Sequence, residues 1–370
     1  MRIFLSLALA LLLGTAVYAQ VETPSETLFR GDLANTGAYE TALADVPTPL
    51  WEFDIQRPVR TTTAVAGGLA YTGSEDGNLY AVDVQSGELA WTFEAGESIV
   101  STPAVADGHI IFGSHTGNVY ALEAATGEEI WQFETDGQVY SSPAIGDGNV
   151  YIGSRDDHLY SLSLETGEEQ WSFQMSGEVW SSPALVEGVV YVGSRDNDVR
   201  AIDAASGEEI WLFDAGGAVD ASPAVADGVV YVGSYDGDFD ALDAETGEPL
   251  WTFDVGSQIY ASAAVSSEVV YINGTDGTLH ALTREGGEVL WTFELGSPAY
   301  SSPSVADNDV YALSEEAGLL YSIDAQSGEQ NWQYQTGREG DWRSASPVLV
   351  DSVLFIGSNT RGLLALTSAD

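Results

Sequence analysis

Apolar and polar residues alternate along this chain in short runs divided by turn residues, and no stretch beyond the first twenty residues carries helical spacing. Residues 181–213, SSPALVEGVVYVGSRDNDVRAIDAASGEEIWLF, contain the full pattern. A first run, of the type at 141–145 (Ser-Ser-Pro-Ala-Ile), leads to pairs such as Asp147-Gly148 and Asp227-Gly228, a hairpin signal. The second is the Val-Tyr-Val-Gly-Ser type at 190–194, and the third the Leu-Tyr-Ala-Val type at 79–82. The fourth, Glu-Ile-Trp-Gln-Phe at 129–133, follows a Thr/Ser-Gly-Glu turn. Each run is predicted as a β-strand, four to a unit.

Tryptophan sets the period of that unit. Trp51, Trp91, Trp131, Trp171, Trp211, Trp251 and Trp291 are forty residues apart, and Trp332 follows after forty-one. Repeated quartets of short antiparallel strands predict an all-β propeller, because a sandwich of so many strands would leave long open edges. First runs begin near Thr61, Ser101, Ser141, Ser181, Ala221, Ala261, Ser301 and Ala345, giving eight blades. Pro103, Pro143, Pro183, Pro223, Pro303 and Pro347 share one slot of that run. Proline cannot donate to a ladder, so the first strand is expected innermost and the tryptophan strand outermost. The chain ends on a third-type strand (363–366) and opens on a lone fourth-type strand (50–53), so the N-terminal strand should complete the last blade. Burying each tryptophan would contribute roughly 4–6 kcal/mol as an upper bound, and a structural docking role is expected for all eight.

Composition adds a location and excludes some partners. Arg2, the apolar stretch 3–13 and Val17-Tyr18-Ala19 predict a signal peptide over 1–19, a leader or linker over 20–48 and the propeller over 49–370. The apolar stretch is too short to span a bilayer, and there is no cysteine for a lipid anchor or a disulfide. A soluble, monomeric, periplasmic or extracellular protein is expected. Removing Arg2 leaves ten arginines and no lysine against 57 Asp and Glu. Such a field repels nucleic acid and anionic membranes, and fits adaptation to a saline medium.

The segment Ala201-Ile-Asp203-Ala-Ala-Ser206-Gly207-Glu208-Glu209-Ile-Trp211 resembles the tryptophan-docking motif of quinoprotein (PQQ-like) propellers, Ala-x-Asp-x-x-x-Gly-x-x-x-Trp. Variants stand at 81–91, 121–131 and 241–251, and less cleanly at 161–171, 281–291 and 322–332. Phe29-Arg30-Gly31-Asp32, followed by Thr36-Gly37, is similar to the leader that often precedes such propellers. The resemblance spans about 29–368 and implies fold more strongly than activity.

Function is expected where one copy departs from its siblings. Strand alternation puts the start of the first strand, the second-to-third turn and the fourth-to-first loop on one face, the upper face. Three residues before the proline slot the ring reads Arg60, Val100, Tyr140, Trp180, Asp220, Tyr260, Tyr300 and Ser344. These side chains either plug the channel mouth or form a docking ring. Arg57, Arg60, Arg338 and Arg343 fall on fourth-to-first loops, and Arg155, Arg195 and Arg361 on second-to-third turns. Five of them (57, 60, 338, 343, 361) should gather at the seam of blades seven, eight and one, beside Trp342 on the longest irregular loop. Arginine beside aromatic rings suits carboxylates, phosphates or a protein hot spot, whereas pairing with Glu75, Glu339 and Asp341 would make the cluster local. Arg200, Asp240 and His280 replace the tyrosine of Tyr80, Tyr120 and Tyr160, and are expected to pack or pair. The four histidines fit no zinc spacing, Asp236, Asp238 and Asp240 fit no EF-hand, and no serine stands in a nucleophile elbow.

The expected function is therefore a non-catalytic scaffold that binds an envelope or secreted protein, with no catalytic or metal-binding residue. The chain resembles the propeller subunit of the outer-membrane barrel-assembly machinery, which binds partner proteins, but lacks that subunit's lipidated cysteine. The resemblance also implies two alternatives, a PQQ-dependent dehydrogenase using PQQ with calcium, and a glycan- or anion-binding module. Asp220 is the one carboxylate in the aligned channel slot.

Overall fold

A computed structural model describes residues 27–337 and 345–368. The signal-peptide expectation, Arg338, Trp342, Arg343 and Ser344 lie outside the described residues. Eight antiparallel sheets follow one another round a ring, the predicted eight-bladed propeller. Blade 1 is typical, with strands Ala64–Ala66, Leu69–Gly73, Asn78–Asp83 and Leu89–Glu94 running from the axis outward. Blades 2 to 7 repeat it over 104–134, 144–174, 184–214, 224–254, 264–294 and 304–335. Blade 8 takes Val348–Val350, Val353–Ser358 and Gly362–Ser368 from the end of the chain and Pro47–Phe53 from its beginning, as the strand count requires.

Local chemistry accounts for each turn. Asp107-Gly108, Asp147-Gly148 and Asp227-Gly228 all adopt positive φ, as a two-residue hairpin demands. Between the third and fourth strands, Asp83, Asp203, Asp243 and Asp324 each accept from the backbone N–H three residues on. The glycine that follows supports the neighbouring blade. At Gly207, φ +73°, a methyl group would lie 2.7 Å from the Trp171 ring, and six other turn glycines stand over a tryptophan in the same way. The indole N–H of each such tryptophan donates to a carbonyl of the next blade, from Trp51 to Val84 O (2.8 Å) through Trp171 to Ala204 O (3.0 Å) to Trp291 to Ala325 O (2.9 Å). These contacts fasten each of these blades to the next through its tryptophan.

The eighth tryptophan is held differently. Blade 8 has no hairpin between its third and fourth strands, because those strands come from opposite ends of the chain. Residues 42–44 fill the gap. Leu43 is fully buried in a cluster with Trp332, Leu313, Leu349 and Leu366, and its N–H donates to Tyr311 Oη at 2.8 Å.

The innermost strands hold only two or three residues each. They begin after the proline because the preceding N–H groups point sideways, not along a ladder. Thr62 N donates to Thr102 Oγ1 (3.1 Å), and the step recurs through Ser142, Ser182, Ser222, Ser262 and Ser302 to Ser346. A belt of hydroxyls thus links blade to blade around the channel.

Below the belt, the leader occupies the axis. Thr27 bridges Val105 of blade 2, and the carbonyls of Leu33, Ala34, Thr36 and Gly37 accept the N–H groups of Leu185, Val225, Val265 and Val305. Ala38–Tyr39 then pairs in parallel with Ser304–Ala306. The inner edges of blades 2, 4, 5, 6 and 7, which a propeller leaves open, are closed here by a segment of its own chain. Asn35 Nδ2 reaches Pro183 O and Pro223 O, both at 3.2 Å, and Arg30 Nη2 reaches Ala263 O (2.7 Å) and Pro303 O (3.0 Å).

Candidate binding site at the upper mouth of the channel

Above the hydroxyl belt the channel opens into a cavity of about 360 Å³. Phe29 is its central apolar contribution from the leader, and Arg60, Tyr140, Trp180, Asp220, Tyr260 and Tyr300 line its wall. Six of the residues singled out in the sequence are therefore brought together. Two others are not. Arg57 is exposed and outside the cavity, and Arg361 turns outward to Glu52 of the closing strand (2.5 Å) and to Gln335 O (3.4 Å). The expected seam cluster thus contributes Arg60 alone to the mouth among the described residues, and Arg60 itself pairs with Glu75 at 2.8 Å.

The wall is a continuous stack. His115 lies on Tyr140 (4.3 Å between ring centroids), Tyr140 on Trp180 (4.4 Å), and the Arg195 guanidinium covers Trp180 at 3.5 Å. Tyr235 meets Tyr260 at 4.5 Å, and Tyr260 meets Tyr300 edge-on at 5.3 Å. Arg195 joins the two halves by a bidentate pair with Asp220 (2.8 and 2.6 Å) and a bond to Tyr235 Oη (3.2 Å). Tyr235 and His115 were missing from the sequence-derived ring, and Arg195 was placed on the upper face but outside that ring, because all three sit on second-to-third turns, twenty-five residues ahead of the slot that follows them. Their turn position was the available signal.

Those turns are fastened. The N–H groups of Glu75, His115, Arg155, Arg195, Tyr235 and Thr275 donate at 2.9–3.0 Å to Pro58, Ser98, Gln138, Glu178, Ala218 and Gln258, on the loops that carry the wall. Charge is balanced inside the wall as well. Arg155 pairs with Glu178 at 3.0 Å, and Trp180 Nε1 donates to Glu178 at 2.8 Å. Burial pushes the Glu178 carboxyl up, but the bonds from Arg155 and Trp180 outweigh it and hold it below the ordinary range. The hydrogen bond to Asp220 keeps Arg195 firmly protonated, while burial and the bond to Asp220 raise the Tyr235 phenol. Burial lowers the His115 pKa, so its ring is a neutral member of the stack near neutral pH.

The three odd replacements are resolved by packing and pairing. Arg200 is buried among Asp196 (3.0 Å), Asp198 (2.8 Å) and Glu209 (3.3 Å). His280 packs edge-on against Phe253 at 5.3 Å, and Asp240 accepts from Thr252 Oγ1 at 2.6 Å.

The fold and the tryptophan-docked closure define the class, a PQQ-like β-propeller. The chain belongs to the family described as outer membrane protein assembly factor BamB, whose profile matches residues 44–115, 108–181, 175–267 and 237–370. Among curated proteins there is no match. The crystal structure of BamB from Moraxella catarrhalis is similar, at 19% identity and TM-score 0.73 over 87% of this chain and 98% of that one. Quinohemoprotein alcohol dehydrogenase from Comamonas testosteroni aligns at 15% identity and TM-score 0.78, covering 94% of this chain and 81% of its own. A computationally designed protein, Ika8, aligns at 19% identity and TM-score 0.76, covering 86% and 99%. At these identities the likeness is one of fold, shared by an assembly factor and by dehydrogenases, and it leaves the choice between them to the site.

PQQ with calcium, the alternative that the sequence resemblance implies, would need an oxygen-rich site at the mouth. Calcium takes six to eight oxygens. Among the described residues Asp220 is the one carboxylate lining the cavity, and its oxygens are engaged by Arg195 and Tyr235. Among the described residues no group of three His, Cys, Asp or Glu is placed to hold a metal. No helix among them is long and apolar enough to cross a membrane.

Proposed function

We propose that this protein is a non-catalytic binding propeller of the cell envelope or medium, and that its upper mouth captures a segment of a protein partner. The observation that carries this reading is the wall itself. Tryptophan, tyrosine and arginine, the residues that dominate binding hot spots, are stacked in one arc on fastened loops around a concave centre. Their ion pairs are already satisfied internally, so docking would not leave a buried charge unpaired. Pre-organisation of this kind lowers the entropy lost on binding. The ring faces stack on one another, which leaves edges and phenol groups to a ligand. A proton-transfer or nucleophilic role would need a base poised beside a reactive group, and Asp220 is occupied instead by Arg195.

The experiment is affinity capture from the native envelope or medium with the mature chain. Trp180→Ala should weaken capture about thirtyfold or more, as expected for a hot-spot residue, with the melting temperature kept within a few degrees. Unchanged capture by this variant would remove the mouth as the binding surface. Reduction of a dye with alcohols or sugars after reconstitution with PQQ and calcium would overturn the non-catalytic reading.

A further inference from the structure

Arg30 is 2% exposed and has no carboxylate within ion-pair distance among the described residues. The surrounding chain is arranged to deliver its guanidinium to the axis. Arg30 takes a left-handed backbone conformation (φ 56°), and a methyl group at Gly37 would collide with Nη2. Nε donates to Asn35 O (3.0 Å) and Nη2 to Ala263 O and Pro303 O, yet Nη1 is buried without an acceptor. Asp32, two residues on, is engaged by the N–H and hydroxyl of Thr36. Tyr39, the other titratable group beside Arg30, is held neutral by burial, which pushes its phenol up to about 12. Asp32 acts on Arg30 through space but does not pair with it; a buried cation without a paired carboxylate is costly, and a water molecule would satisfy the N–H but not the charge.

A second feature meets it there. Ala263 and Pro303 directly follow Ser262 and Ser302 of the hydroxyl belt, and guanidinium planarity keeps Nη1 beside Nη2 at these two blades. From Thr102 to Ser346 the belt hydroxyls each accept a backbone N–H, and all eight belt residues line the cavity. Their O–H groups have no acceptor among the described residues, and an accepted N–H strengthens an O–H as a donor. The nearby carbonyls are already taken, those of Pro183 and Pro223 by Asn35 and those of Ala263 and Pro303 by Arg30. At Arg30 itself the polar atom left free is a donor on a buried cation, and that charge fixes the sign of what it binds.

We propose that the propeller axis holds a small monovalent inorganic anion, of the chloride class, between Arg30 Nη1 and the hydroxyls of Ser262 and Ser302. The anion neutralises the buried guanidinium and fastens the leader to blades 6 and 7. This site stands apart from partner capture, which is measured separately.

The test uses the mature chain. Thermal unfolding is followed while chloride replaces gluconate at constant ionic strength, and crystals soaked in bromide are measured at the bromine absorption edge. The expected results are a saturable rise in melting temperature of about 3–6 °C and an anomalous peak in contact with Arg30. Arg30→Gln should abolish the halide-specific rise. If that variant fails to fold, Ser302→Ala should still weaken the apparent halide affinity severalfold. A melting temperature unchanged by the exchange of gluconate for chloride, or bromide peaks confined to the outer surface, would overturn the site and assign the position to water.

Discussion

Asp240→Asn should stabilise the protein at neutral pH, and by an amount that depends on pH in a calculable way. Asp240 is 3% exposed, and burial raises its carboxyl to about 6, opposed by the hydrogen bond from Thr252 and assisted by Asp238 and Asp236. Relative to the unfolded value of 3.8, the folded chain binds this proton about two pH units more tightly. Between pH 4 and 6 the native state therefore holds the proton while the unfolded state has released it, and stability falls as pH rises through that window. At 1.36 kcal/mol per unit, the ionised side chain costs about 3 kcal/mol by pH 7. Asparagine carries no charge at any pH and keeps the oxygen that Thr252 reaches. Its extra N–H groups reduce the gain by about 1 kcal/mol if they find no acceptor. The assay is urea unfolding of both proteins from pH 4 to pH 8. The quantity of interest is the difference between them, in which the titration of the other carboxylates largely cancels. That difference should be small or slightly unfavourable at pH 4 and should move in favour of asparagine until about pH 7. A difference that is flat across the range would refute the assignment of a strained, buried carboxylate to position 240.

Two further substitutions test the closure. Gly148→Ala should cost about 1–2 kcal/mol, because φ is +77° with open space around it, whereas Gly207→Ala should cost at least about 1 kcal/mol more through collision with Trp171, as measured by thermal unfolding. Leu43→Ala should cost about 2–5 kcal/mol and should speed amide exchange selectively in blades 7 and 8, where Leu43 packs against Trp332.

The fold was legible because each of its rules repeats every forty residues. Tryptophan has one job in every blade, proline in six of them and the turn glycine in seven, so the period displays them, and the excess fourth-type strand at 50–53 announces how the ring shuts. The hydroxyl belt was written in the same period as the second Ser of Ser-Ser-Pro, but its meaning depends on bonds such as Ser142 N to Ser182 Oγ, which cross between blades. No pattern within one unit displays such a bond. The mouth was half legible. The slot before the proline located Tyr140, Trp180 and Tyr260, but Arg195 and Tyr235 arrive from turns, and the arginine seam was drawn from chain position when Arg361 in fact faces Glu52. The leader, with no repeat of its own, read as a linker. Its role rests on Asn35 and Arg30 meeting carbonyls 147 to 273 residues away.

The path of the leader has a consequence for how the molecule assembles. Residues 27–53 precede the inner strands of all eight blades in the chain, yet their partners include Val305 and the strand Gly362–Ser368. Neighbouring strands within a blade form contacts between residues close in sequence and can form early, whereas these contacts close loops spanning most of the chain. A segment made before the inner strands is therefore among the last fixed. Until then the inner strands keep their unpaired edges toward an open axis, which is the species most exposed to misassembly. Slow refolding should track the ordering of residues 27–53, and shortening the chain from either end should undo the same seam.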